Sequence, residues 1–204
     1  ANDTVKDIST VRLSVFTPGA GDELPFETDL SVQSHETFQL VNIDDGLLEI
    51  YAPNLSDQDK QALNNGTGCL VKNPIPFSYG DTPVEHTELS IGDTIQLGSR
   101  ALRVIGIIDT PITINNEGFT NGVQLIVNEE IYCSLMQDDT YSEIYLTLQD
   151  GVDTNSFESI LDDWCSKYPG AHWLSYLESS NEMAESFEQI KMLCWVLIIF
   201  IGII

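Results

Sequence analysis

Thirteen consecutive residues, Met192–Ile204 (MLCWVLIIFIGII), carry no charge, and only Gly202 interrupts their large apolar side chains. As a helix, such a run spans about 20 Å, against roughly 30 Å for the hydrocarbon core of a bilayer. Side chains of this kind favour lipid by on the order of 0.3–0.6 kcal/mol each. A buried C-terminal core helix is the competing reading, but a core helix normally keeps one polar face, and this run has none. The pattern predicts part of a transmembrane helix, entered at Met192, Leu193 and Trp195, with a folded domain standing on the membrane before it.

Just upstream, Met183, Phe187 and Ile190 make an apolar stripe, while Glu182, Glu185 and Glu188 fall on another side. Neither Gly nor Pro lies between this stripe and Met192. Residues 178–204 therefore read as one rod, a stalk that is amphipathic above the membrane and apolar within it.

The rest of the chain fits the outer side of a membrane. The formal net charge is −24, with only 8 Lys and Arg. Nucleic-acid affinity comes mainly from cations neutralising phosphates, so that class of partner is excluded. Adsorption on an anionic membrane face is disfavoured for the same reason. Positive charge is retained on the cytoplasmic side, so a segment this poor in it suits the outside, although an acidic surface also serves plain solubility. Ala1–Ser9 is polar and acidic rather than a secretory leader, so an external domain needs something upstream to carry it across, most economically an earlier transmembrane helix. Cys69, Cys133, Cys165 and Cys194 show no CxxC or zinc-type spacing. With Cys194 inside the apolar run, three remain outside it; no disulfide framework is expected, and one bridge stays open.

Periodicity and punctuation place the elements. Val11–Phe16, Phe38–Ile43 and Leu47–Tyr51 read as strands, the last two joined by an Asp44-Asp45-Gly46 turn. Those carboxylates could hold calcium, but Asp-Gly is above all turn chemistry. Ser56 caps a helix over Asp57–Asn64, and Cys69–Lys72 is a strand stopped by Pro74 and Pro76. Gly92-Asp93 and Gly98-Ser99 bracket a strand at Thr94–Leu97, followed by a long strand at Ala101–Ile108, in which Gly106 marks a bulge or a close backbone approach. Val123–Val127 is a strand leading into a helix over Asn128–Leu135 with Glu129 and Glu130 in its first turn. Ile144–Leu148, an amphipathic helix from about Thr154 to Tyr168, and Ala171–Tyr176 read as a β-α-β unit with parallel strands. Trp164 and Trp173 read as core or interface aromatics.

Chemistry is sparse. His35, His86 and His172 sit far apart and next to no motif. No nucleophile elbow, zinc-protease motif, phosphate-binding loop or dinucleotide fingerprint occurs. With 32 carboxylates some pairs must lie close in space, so a catalytic dyad cannot be inferred from their number. The expectation is a non-enzyme with no catalytic residue, cofactor or metal.

Three stretches carry a family resemblance: LSIGDTIQLGSRALRVIGIID (Leu89–Asp109), the run VQLIVNEEIYCSL followed by SEIYLTLQDGVDTNSFESIL, and the entry from that close into an apolar helix. Over about Leu89–Ile204 the chain resembles the extracytoplasmic domain of an FtsX/MacB-type ABC transporter permease; the first half matches by layout only. The resemblance implies an α+β fold in two lobes: a membrane-proximal β-α-β lobe (1–77 and 121–177) and an inserted mainly-β distal lobe (78–120), with the stalk at 178–204. It also implies a cell-membrane protein with this domain outside, partnered by a cytoplasmic ATPase subunit, the remainder of the permease and a permease dimer partner. On that reading the domain relays motion to export or to mechanical signalling. A membrane-tethered binding or sensor module, adhesin-like and unrelated to transport, is the alternative.

Overall fold

The computed structural model describes residues 4–113 and 121–175. The chain divides into two units, residues 1–149 and 150–204. The fold is α+β: a mixed sheet with helices on it.

In the first unit, strand β1 (Val5–Phe16) runs antiparallel to β2 (Thr37–Ile43), with Val11 opposite Ile43 and Phe16 opposite Phe38. Helices α1 (Asp45–Tyr51) and α2 (Asp57–Asn64) follow, then β3 (Gly68–Lys72). A two-stranded pair, β4 (Ser78–Tyr79) and β5 (Thr82–Pro83), precedes β6 (Thr94–Leu97), β7 (Arg100–Ile107) and β8 (Gly122–Ile126). Helix α3 (Glu129–Met136) and strand β9 (Glu143–Leu148) complete the unit. The main sheet has seven strands in the order β6-β7-β3-β8-β2-β1-β9. Its parallel pairs are β2–β8 and β3–β7, and its other pairs are antiparallel.

Side-chain alternation gives this sheet two apolar faces. One holds Phe38, Leu40, Val71, Val104, Val123 and Leu125 with Ile131 and Tyr132 of α3. The other holds Val41, Leu70, Ile105 and Ile126 with Leu47 and Leu48 of α1 and Leu63 of α2. A polar row interrupts this second face: Gln124 bonds Gln39 at 2.7 Å and both backbone groups of Ile112 at 2.7 and 2.8 Å. Burial in the same region lowers the pKa of the Lys72 ammonium.

Three local expectations meet the structure closely. Helix α2 spans Asp57–Asn64, its cap Ser56 accepting from the Asp59 amide. β6 spans Thr94–Leu97. Gly106 lies at a register shift between β3 and β7, and a Cβ there would stand 2.8 Å from a Leu70 methyl.

Two expectations are corrected. Leu47–Tyr51 is not a strand after a hairpin turn but most of α1. Asp44 acts as its N-cap, accepting from the Leu47 amide at 3.0 Å, and the helix buries Leu47 and Leu48. Among the described residues the β-α-β unit does not form, because residues 171–175 make no strand; the partner that β9 has is β1, antiparallel. Residues 78–113, part of the expected inserted lobe, supply the separate β4–β5 pair but also β6 and β7, which belong to the main sheet. The buried residues of β7, Leu102, Val104 and Ile105, divide between the two cores, which requires layers on both sides of the strand.

The second unit contains α4 (Thr154–Cys165), on which no residue is fully buried. Trp164 is 50% exposed and stacks on Tyr168 at 4.7 Å, so it is not a core aromatic. The Trp173 indole donates to Asp162 at 2.9 Å.

Candidate functional site

Where two adjacent parallel strands end and their following helices depart to opposite faces, a crevice must open between the helix starts. β2 and β8 are such a pair, with Val41 beside Ile126. After β2 the chain enters α1 on one face, and after β8 it enters α3 on the other. Asp44 caps α1, and Asn128 caps α3 by accepting from the Ile131 amide at 2.9 Å. A crevice of about 500 Å³ lies there, lined by both caps and by Asp45, Glu129, Glu130, Arg12 and Tyr141 among others.

Arg12 of β1 is the central group, although its residue is only 4% exposed. Its Nη1 donates to Asn42 Oδ1 at 2.9 Å, and its Nη2 donates to Glu129 Oε1 at 2.7 Å and to the Asp139 carbonyl at 3.3 Å. The guanidinium lies 4.0 Å from the centre of the Tyr141 ring, within cation–π range. Its Nε is also buried and has no hydrogen-bond partner among the described residues. Burial works against the charge, but Glu129, with Cys133 and Tyr141, outweighs it, and the pKa ends above its ordinary value.

The neighbours are also engaged. Asn42 donates to the Val127 carbonyl at 3.1 Å, so β2, β8 and Arg12 share one amide. Both oxygens of Asp44 are used, one at the α1 cap and the other by the Thr10 amide at 2.5 Å. Glu130 pairs with Arg100 at 2.5 Å. The arrangement is a pin: it fixes two strand-to-helix turns and the 139–141 segment to β1. No group of three or more His, Cys, Asp or Glu suited to a metal occurs among the described residues.

Met183, Phe187 and Ile190 of the stalk, and Met192, Leu193 and Trp195 at the membrane entry, lie outside the described residues. Among the described residues no helix is long and apolar enough to cross a membrane. His86 sits 3.9 Å from Glu88, and His35 packs edge-on against Phe77 at 5.7 Å. Cys69 is buried, and burial pushes its thiol up to about 12. Sequence reasoning gave Glu129 and Asn128 their helix-start roles. It missed Arg12, whose partner Glu129 is 117 positions away.

No protein-family model matches the chain, and no curated protein matches it. Among solved structures, it is similar to the periplasmic region of MacB from Actinobacillus actinomycetemcomitans, with a TM-score of 0.48 and 11% identity over 89% of this chain and 77% of that one. It is also similar to the extracellular domain of the noncanonic ABC-type transporter YknZ from Gram-positive bacteria, with a TM-score of 0.41 and 12% identity over 74% of this chain and 70% of that one.

Proposed function

We propose that this chain is the extracytoplasmic domain of an ABC transporter permease, held at the cell membrane through Met192–Ile204. On this reading it works with a cytoplasmic ATPase and the remainder of the permease, in a permease dimer, and relays motion to export or signalling without chemistry of its own. The observation that carries the reading is the thirteen-residue uncharged run placed directly after an acidic chain of net charge −24. Such a run favours lipid, while a segment so poor in Lys and Arg is not retained on the cytoplasmic side. The crevice is consistent with this, since Asn42, Asp44 and two of the three guanidinium nitrogens of Arg12 are used for positioning.

Two experiments test it in the full-length protein. A protease site inserted between Gly80 and Asp81, at the exposed β4–β5 turn, is expected to be cut by protease added outside intact cells; protection there, with cutting after lysis, would reverse the orientation. Inserting Gly-Gly after Ser186 interrupts the stalk pattern at roughly 1 kcal/mol of helix propensity per Gly. Basal ATP hydrolysis should survive while the physiological output falls. Full output at equal membrane abundance would leave a passive tether, as in a binding or sensor module.

A further inference from the structure

Residues 73–89 leave the sheet at the end of β3 and return before β6. Their neck is closed by one side chain: Asn73 Nδ2 donates to the Leu89 carbonyl at 2.9 Å, and the Leu89 amide donates to Asn73 Oδ1 at 3.0 Å. This imitates a strand pair where no strand exists. Beyond the neck, β4 and β5 pair only with each other, and the Val84 amide donates to the Phe77 carbonyl at 3.0 Å. Pro74, Pro76 and Pro83 fix φ at three positions, so the excursion is stiff within itself.

What holds it to the sheet is mainly polar. Glu36, 2% exposed, accepts the Thr87 amide at 2.8 Å on Oε1, and on Oε2 the Gln33 amide at 3.2 Å. The Thr87 hydroxyl lies 2.6 Å from Glu36 Oε2 and 2.8 Å from the Ser31 carbonyl, and it has one proton for these two acceptors. One ring contact, Phe77 on His35, supplements this. Little apolar surface is buried at the far end, where Ile75 is 50% and Tyr79 77% exposed.

We propose that residues 73–89 are a latched arm, which opens as one local unit about the Asn73–Leu89 neck when the Glu36–Thr87 contact releases, while the seven-stranded sheet stays folded. A segment tied by a few hydrogen bonds and little apolar contact opens at lower free energy than a core strand. Because the arm is stiff and its neck is closed independently of the latch, release changes its position and need not undo its β4–β5 pair. The arm would carry the exposed tip formed by Ile75 and Tyr79.

Native-state hydrogen exchange of the full chain, read by mass spectrometry, tests this. In Glu36→Ala the Thr87 amide, whose acceptor is Glu36, should exchange roughly tenfold to a hundredfold faster, while the Val84 amide, bonded to Phe77 inside the arm, should keep its protection. Exchange in β2 and β8 should stay unchanged. Glu36→Gln keeps an acceptor for the Thr87 amide and should recover most of the protection. Thr87→Val, which removes only the hydroxyl, covers the case in which Glu36→Ala fails to fold, and should speed exchange at the residue 87 amide by less, again with Val84 unchanged. Equal acceleration in the arm and in β2 and β8, or no acceleration in the arm with either variant, would overturn the proposal.

Discussion

Replacing Arg12 separates two explanations of the crevice, a charge that balances carboxylates and a fork that ties segments together. In Arg12→Met the buried Asn42 oxygen loses its donor, at about 1–3 kcal/mol for an unsatisfied buried acceptor. The cation–π contact with Tyr141 contributes about 0.5–1 kcal/mol more. The pair with Glu129 is discounted to about 0–1 kcal/mol, since the Glu129 side chain is 64% exposed. Against these losses, the variant removes a buried Nε that has no partner among the described residues. The net expectation is a loss of about 2 kcal/mol.

Urea unfolding of the full chain followed by far-ultraviolet circular dichroism should show it as a midpoint lowered by about 1 M, at a slope of about 2 kcal/mol per M. Tryptophan fluorescence is the wrong probe, because Trp164, Trp173 and Trp195 all lie in residues 150–204. Arg12→Lys keeps the charge but cannot reach Asn42, Glu129 and the Asp139 carbonyl with one planar fork, so it should lose most of the same stability. Arg12→Met combined with Asn42→Leu should cost less than the sum of the single changes by about 1 kcal/mol, the coupling expected for direct partners. If Arg12→Lys unfolds like the parent, the fork explanation fails and only the charge matters.

Cys69 should resist thiol-alkylating reagents at pH 8 in the folded chain and react once the chain is unfolded, as quantified by peptide mass spectrometry. Its folded pKa of about 12 lies above the ordinary 9.0, so the folded state keeps a proton that the unfolded state releases. Its contribution is therefore complete below pH 9 and is lost by about 1.4 kcal/mol per pH unit between 9 and 12, measured as the difference from Cys69→Ala in the pH dependence of unfolding. Gly122→Ala would place a Cβ 2.1 Å from the Thr37 hydroxyl and 2.2 Å from the Gln39 amide nitrogen, so the Gln39–Thr37 bond must break; a destabilisation of about 2–4 kcal/mol in urea unfolding is expected. A chain ending at Lys191 keeps the whole −24 charge, since Met192–Ile204 carries none, and should not sediment with anionic vesicles at physiological salt; binding that weakens with added salt would contradict the charge argument.

Local chemistry was legible in the sequence wherever a residue's neighbours in the chain decide its conformation. Ser56 and Asn128 announce helix starts because a short polar side chain bonds an amide three residues on, and both do so here. The Gly92-Asp93 turn bounds β6 for a similar reason, with the Asp93 carboxylate accepting from the Ser90 amide at 2.8 Å. Asp44-Asp45-Gly46 shows where this stops. The same residues suit a hairpin turn and a helix start, and what decides is the burial of Leu47 and Leu48 in the same core as Val11 of β1 and Val41 of β2, which the local pattern does not contain.

The crevice was illegible for a stronger form of that reason. Each capping residue can be read singly, but they meet only because β2 lies beside β8, with Val41 and Ile126 in register although far apart in the chain. The apolar residues of β2, β3 and β8 say that these strands are buried without saying which one each pairs with. Once that adjacency is given, the rest follows with little freedom. Helices leaving adjacent parallel strands for opposite faces open a gap between their starts. A gap bordered by Asp44, Asp45, Glu129 and Glu130 favours a cation, and Arg12 on the neighbouring strand β1 supplies one. The cation is arginine rather than lysine because three acceptors from three segments, Asn42, Glu129 and Asp139, must be held by one side chain.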